Sequence, residues 1–259
     1  MNTDRIRNKK AFICDMDGVI YHGNHLLPGV KKFVNWLQNE EKDFIFLTNS
    51  SERAPRELRE KLKRLGLEVE DTHFYTSALA TAIFLSKQKP MGSAYIIGES
   101  GLINALYDVG YSVNEVNPDY VVVGESRNYN YDKIEHAVHL VNAGAKLIGT
   151  NPDLTGPTEK GLAPATRALI SPIELATGKQ AYFVGKPNPL MMRHALLKLN
   201  KTSDETIIIG DRMDTDIIAG IESEIEQLLV LSGVASLSTI ENFPYRPTFV
   251  LNGVGEIVE

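Results

Sequence analysis

Asp15 and Asp17 stand two residues apart in Asp15-Met16-Asp17-Gly18, directly after the apolar run Ala11-Phe12-Ile13-Cys14. A carboxylate held at the end of a buried strand can attack phosphorus and form an aspartyl-phosphate. A second carboxyl nearby can protonate the leaving oxygen and later deprotonate an attacking water. An anion attacking an anion needs its charge neutralised, and the chain carries groups for that. Lys186, after Tyr182-Phe183-Val184-Gly185, offers a compact positive charge to phosphoryl oxygens and to Asp15. Asp211, after Ile207-Ile208-Ile209-Gly210, can join Asp15 in holding Mg²⁺, a hard ion that binds one or two carboxylates and keeps waters. Thr48 and the backbone amides near Asn49, after Phe44-Ile45-Phe46-Leu47, add neutral donors. Gly18 lets the chain turn tightly past the site. In-line phosphoryl transfer asks for this set: a nucleophile, cations on the equatorial oxygens and a proton source.

Each of the four runs is short and rich in Ile, Val and Phe, the pattern of strands buried on both faces of a parallel sheet. In an open α/β sheet, ligands bind beyond the carboxyl ends of the strands. Four separate segments are therefore expected to deliver their polar residues to one place. Taken singly, each has an ordinary explanation. Asp-x-Asp-Gly is commonly a turn, Thr-Asn a helix cap, Gly-Lys-Pro a loop, and Gly210 to Asp216 a solvated acidic turn. Their joint placement after four strand patterns is what favours a site.

Strand and helix patterns alternate through the rest of the chain. Pro28-Gly29 opens an amphipathic helix to about Asn39. Another starts at Pro55, carries Leu58, Leu62 and Leu65 at helical spacing, and stops at Gly66. Strands over 94–97, 120–123 and 146–149 alternate with helices over 101–109 and 132–143, and 189–199 is helical. Such alternation predicts a parallel sheet with helices on its faces. The stretch between Thr48 and Lys186 holds at least three strands with their helices, more than one crevice absorbs. A second domain over 78–181 is therefore expected, inserted into a discontinuous core of residues 1–77 and 182–259.

The chain has 259 residues, 43% hydrophobic and 23% charged, enough for one or two globular domains. A net charge of −6 provides no positive field for a polyanion, so neither a nucleic-acid polymer nor a membrane surface is expected as a partner. No apolar stretch approaches the ~20 residues of a spanning helix, and no signal-like segment is visible. The single cysteine, Cys14, excludes an intramolecular disulfide, and a reducing cytoplasm is the expected location. The sequence does not specify an oligomeric state. His136 and His139 form a short pair on a helix face without a third ligand nearby in sequence, which argues against zinc.

Asp15-Met16-Asp17-Gly18, Thr48-Asn49, Lys186 and Gly210-Asp211 with Asp216 match, in order, the four motifs of the haloacid dehalogenase superfamily of phosphohydrolases. The chain resembles that family from about residue 10 to 258. The long insert is similar to the α/β cap of the NagD-type subfamily, as are Leu47-Thr48-Asn49-Ser50, Phe74-Tyr75-Thr76-Ser77-Ala78, Val123-Gly124-Glu125, Thr150-Asn151-Pro152-Asp153 and Val230-Leu231-Ser232-Gly233. The resemblance implies an α/β fold, a Rossmann-like parallel-sheet core with an inserted α/β cap. It also implies Mg²⁺-dependent hydrolysis of small phosphorylated metabolites, nucleoside monophosphates and sugar phosphates among them. On this resemblance Asp15 is nucleophile and Mg²⁺ ligand, and Asp17 is acid/base and a ligand through its carbonyl. Thr48, Asn49, Ser50 and Lys186 hold phosphate, Asp211 binds Mg²⁺ and Asp216 supports it. Asn151 and Asp153 follow a strand of the insert, where a turn and a substrate contact are both open. One departure stands out: relatives usually carry a glycine, then a threonine three residues later, where this chain has Glu224 and Gln227.

Three functions fit these residues. The first is a Mg²⁺-dependent phosphatase. The second is a phosphotransferase or mutase on phosphosugars, in which a sugar hydroxyl replaces water. The third is a non-catalytic regulator that binds phosphometabolites, which the intact Asp15/Asp17 pair disfavours because binding alone needs no acid/base.

Overall fold

Ala11–Cys14, whose residues are wholly buried, pairs in parallel with Thr206–Gly210 on one side and Asp43–Thr48 on the other. The computed structural model describes residues 3–158 and 161–259. The sheet runs Phe249–Leu251, Glu226–Val230, Thr206–Gly210, Ala11–Cys14, Asp43–Thr48, Phe74–Thr76, and the first five strands are parallel. From Ala11–Cys14 the chain winds one way, through Asp43–Thr48 and Phe74–Thr76. From Thr206–Gly210 it winds the other way, to the opposite edge. The order therefore reverses between the two central strands, and their carboxyl ends flank the place where such sheets bind ligands. Asp15 follows one of these ends and Asp211 the other.

A second, five-strand sheet runs Tyr182–Phe183, Lys146–Gly149, Tyr120–Val123, Ser93–Ile97, Ser112–Val113, all parallel. Tyr95, Ile97, Val121 and Val123 of this sheet are buried with Leu140 of helix Tyr131–Ala143 and Ile170 of helix Thr166–Thr177. The α/β fold is thus built twice. By contacts the chain divides into Met1–Thr48, Arg59–Tyr75 and Lys186–Glu259 as one unit, and Asn49–Leu58 with Thr76–Gly185 as the other. No helix among the described residues is long and apolar enough to cross a membrane.

These boundaries differ from the expected 1–77, 182–259 and 78–181. Tyr182-Phe183-Val184 was expected in the first sheet beside the other three runs. Tyr182–Phe183 pairs instead with Ile148 and Gly149 of the second. Gly149 leaves room for that pairing, because a Cβ there would lie 2.3 Å from a Phe183 ring carbon. The segment Asn49–Leu58 joins the second unit through hydrogen bonds described below, and Gly101 N donates to Glu52 O at 3.0 Å within the same unit. A wide turn over Met213–Ile217 leads into the helix Ile218–Glu222.

Glu224 closes that helix in the left-handed region, at φ 56°. Ile225 N donates to Gly220 O at 2.9 Å and Glu224 N to Ile221 O at 3.2 Å, the paired bonds of a Schellman end that normally places glycine at this position. A side chain there costs on the order of 1 kcal/mol. Glu224→Gly is expected to raise the melting temperature by ~2–4 °C without changing turnover. A fall on thermal melting would count against strain at this residue. Gln227, the second departure, is buried, and its Oε1 accepts from Thr248 Oγ1 at 3.0 Å while its amide donates to Ile225 O.

Candidate active site

Lys186 Nζ lies 2.5 Å from Asp15 Oδ1 and 2.6 Å from Asp216 Oδ1. Asp15, Asp211 and Asp216 each present a carboxylate oxygen within 4.8 Å of the others. All four residues belong to the first unit, and Lys186, Asp211 and Asp216 are buried. Local structure fixes the three aspartates. Asp15 N donates to Ile209 O at 2.8 Å, extending the central pairing by one residue. Asp211 Oδ2 accepts from Val234 N at 2.7 Å, and Asp211 O accepts from Ala235 N at 3.0 Å. The wide turn brings Asp216 back toward the sheet, where its Oδ2 accepts from Arg212 N at 3.1 Å. Gly18, at φ +83°, leaves space for Asp211, since a Cβ there would fall 2.4 Å from Asp211 Oδ2. Any larger residue at position 18 displaces that carboxylate.

Burial lifts the Asp15 carboxyl well above its ordinary range. Lys186 opposes the lift, and the negative charges of Asp216 and Asp211 add to it. Asp211 is pushed up to about 7, by burial first and by Asp216 second. Burial alone would lower the Lys186 pKa, but Asp15 and Asp216 outweigh it and hold the ammonium above its usual range. One ammonium faces three desolvated carboxylates, so negative charge is in excess. Hard oxygen donors, excess negative charge and close spacing fit a divalent cation.

Asp17 stands outside this cluster. Its Oδ1 lies 3.5 Å from His22 Nδ1, and Gly18 N donates to Tyr21 O at 2.8 Å, turning the chain away behind it. Burial raises the Asp17 pKa, while His22 and Lys61 pull against the rise. A carboxyl whose pKa is raised is suited to carrying a proton to a leaving group. Thr48 ends strand Asp43–Thr48, and the register Cys14↔Phe46 places it at the same sheet edge as Asp15.

Asn49, Ser50, Asn151 and Asp153 lie in the second unit. Asn49 Nδ2 donates to Asp153 Oδ2 at 2.8 Å, and Asn151 Nδ2 donates to Asn49 O at 2.8 Å. Ser50 is half-buried beside them. Asn151 has no exposed surface, and its amide is occupied by protein partners that include Glu125 Oε1 at 2.7 Å and Thr166 Oγ1 at 3.1 Å. Glu125 carries no assigned role in the sequence reading beyond its place in Val123-Gly124-Glu125, although it follows the apolar run Tyr120–Val123 as Asp15 and Asp211 follow theirs.

A doubly wound sheet with three clustered carboxylates and an ammonium beyond its central strands is a setting suited to phosphoryl transfer. Residues 12–112 match the family described as haloacid dehalogenase-like hydrolase, and residues 183–257 match a HAD-hydrolase-like family. The chain is 42% identical over 249 residues to dihydroxyacetone phosphatase of Corynebacterium glutamicum, covering 96% of this chain and 90% of that one. It is 42% identical over 248 residues to ribonucleotide monophosphatase NagD of Escherichia coli, covering 96% and 98%. The solved NagD structure superposes with a TM-score of 0.91 over 96% of this chain and 98% of that one. Glycerol phosphate phosphatase of Mycobacterium tuberculosis, solved in complex with magnesium, is 27% identical with a TM-score of 0.91, covering 98% and 77%. The chain belongs to the haloacid dehalogenase-like hydrolases, in their NagD-type branch, and is a phosphomonoester hydrolase.

Proposed function

We propose that the enzyme is a magnesium-dependent phosphatase of small phosphorylated metabolites, nucleoside monophosphates or sugar phosphates, working through an aspartyl-phosphate on Asp15. The observation that carries this reading is the buried cluster of Asp15, Lys186, Asp216 and Asp211 at the sheet's switch point. Asp15, the Asp17 carbonyl and Asp211 would hold magnesium, with Asp216 behind them. Bound there, magnesium supplies positive charge to the phosphoryl oxygens as negative charge builds on them. An Asp15 carboxylate oxygen forms the new bond to phosphorus while the ester P–O bond breaks. The departing oxygen takes the proton from the Asp17 carboxyl. Asp17, now a carboxylate, removes a proton from water, which attacks phosphorus and breaks the bond to Asp15. Inorganic phosphate leaves, and both aspartates return to their starting states. Lys186, Thr48, Asn49 and Ser50 hold the phosphoryl group throughout.

In this reading the first unit is the catalytic core and the second a cap that governs which leaving group is accepted. The dihydroxyacetone, ribonucleotide and glycerol phosphatases among the relatives support small substrates. The buried lone cysteine is in keeping with a cytoplasmic location. The test is phosphate release from triose phosphates, glycerol phosphate, ribonucleoside monophosphates and nitrophenyl phosphate, with magnesium and with excess chelator. Turnover is expected only with the metal, and at higher kcat/KM on the metabolites than on nitrophenyl phosphate. Full activity in chelator would remove the metal from the mechanism.

A further inference from the structure

Glu125 receives three hydrogen bonds within the second unit, two of them from the segment that directly follows Thr48. Ser51 N and Ser51 Oγ donate to its Oε2 at 3.0 and 2.5 Å, and Asn151 Nδ2 donates to its Oε1 at 2.7 Å. Asn151 passes the hold onward. Its amide nitrogen also donates to Asn49 O, which accepts from Ser77 Oγ as well, at 2.5 Å. Its Oδ1 accepts from Asp153 N at 3.1 Å, and Asp153 in turn accepts from the Asn49 side chain. Space is shaped for the contact, because a Cβ on Gly124 would fall 2.5 Å from Ser51 Oγ. Asn49 is therefore fixed at its carbonyl and its side chain, and Ser51 at its amide and its hydroxyl.

We propose that Glu125 is the positioning residue of the phosphate-binding loop, its carboxylate holding residues 49–51 so that Thr48, Asn49 and the neighbouring amides meet the phosphoryl group. The proposal rests on the phosphatase reading above. Its chemical basis is donor count. All three partners of Glu125 are donors, and a carboxylate offers acceptors on both oxygens. A glutamine of the same shape can accept on one side only, and its NH₂ must face a second donor on the other. Burial pushes the Glu125 pKa up, while Ser51 and Asn151 favour the charged form. No reacting atom needs to touch Glu125 for the loop to depend on it.

Glu125→Gln is the direct test, assayed well below its melting temperature. The KM of each substrate and the Ki of inorganic phosphate are expected to rise together, by about tenfold, the usual weight of one charge-assisted hydrogen bond. The rise should be the same for nitrophenyl phosphate and for a triose phosphate, because the phosphoryl group is what they share. A variant that only loosened the fold would lower the melting temperature and leave the phosphate Ki in place. Soluble Glu125→Gln with KM and Ki within twofold of wild type overturns the proposal. So does a rise that depends on the leaving group, which would put Glu125 at the substrate. If Glu125→Gln does not fold, Ser51→Ala removes one donor and keeps the carboxylate, and it is expected to shift both constants the same way to a smaller extent; unchanged constants there overturn the proposal too. Wild-type enzyme that releases no phosphate from any ester would instead overturn the phosphatase reading itself.

Discussion

Asp15→Asn is expected to lower phosphate release by more than about a thousandfold while the melting temperature stays near that of the wild type. The chemical half follows from nucleophilicity. An amide oxygen does not form the acyl-phosphate bond, and it is a weaker ligand for a divalent cation than a carboxylate. The structural half follows from Lys186, which is bound to Asp15 and to Asp216, at 2.5 and 2.6 Å. Removing one negative charge leaves the ammonium paired with Asp216, so no buried charge is orphaned. It also removes a carboxylate whose ionisation burial opposes. Steady-state phosphate release and thermal melting decide the matter together. Residual turnover within tenfold of wild type would show that the first bond to phosphorus forms elsewhere. Lost activity with a collapsed melting temperature would show that Asp15 is needed for the fold.

The parts of this site legible in the sequence share one physical cause. A strand buried on both faces must be apolar along its length, so the first polar residue after it marks the sheet edge. Asp15, Thr48 and Asp211 were found that way, and the register of their strands places them on one edge of one sheet. Lys186 follows the same signal from a different sheet. Tyr182–Phe183 is as apolar as a core strand, and periodicity says nothing about which of two parallel sheets will pair it. The side-chain-free face of Gly149 accommodates the Phe183 ring in the pairing that is adopted, a contact across a long sequence separation. The tie between Glu125 and Ser51 escaped for the same reason. Its donors and acceptors are each ordinary loop residues, and only the folded chain brings them to 3.0 Å. Asn151 reads equally well from sequence as a turn residue or a substrate contact, and its burial follows from partners far away in the chain. Glu224 is the opposite case. Relatives usually carry glycine at this position, and the backbone has the positive φ that favours glycine.

Lys186→Met is expected to cost the metal-free protein ~3–5 kcal/mol, because it leaves Asp15, Asp211 and Asp216 in a buried cluster with no cation. Methionine fills most of the volume of the lysine stem, so the loss reports charge rather than a cavity. Its dependence on pH and on metal separates the two further. Asp211 already stands at about 7 against an ordinary 3.8, from burial and the charge of Asp216. Removing the ammonium pushes such carboxylates further up. A carboxyl whose folded pKa exceeds its unfolded pKa binds more protons in the native state between the two values. The destabilisation is therefore full above the folded pKa and is relieved as pH falls from above 7 toward about 4. The melting-temperature gap between wild type and variant should accordingly be wide at pH 8 and narrow at pH 5. Magnesium at pH 8 should raise the variant's melting temperature more than the wild type's, since it supplies the missing positive charge. It should not restore turnover, because a cation held by Asp15 and Asp211 does not occupy the position from which Lys186 reaches the phosphoryl oxygens. An equal gap at both pH values, indifferent to magnesium, would mean that Lys186 stabilises the fold through packing and that the carboxylates do not repel one another as their spacing requires.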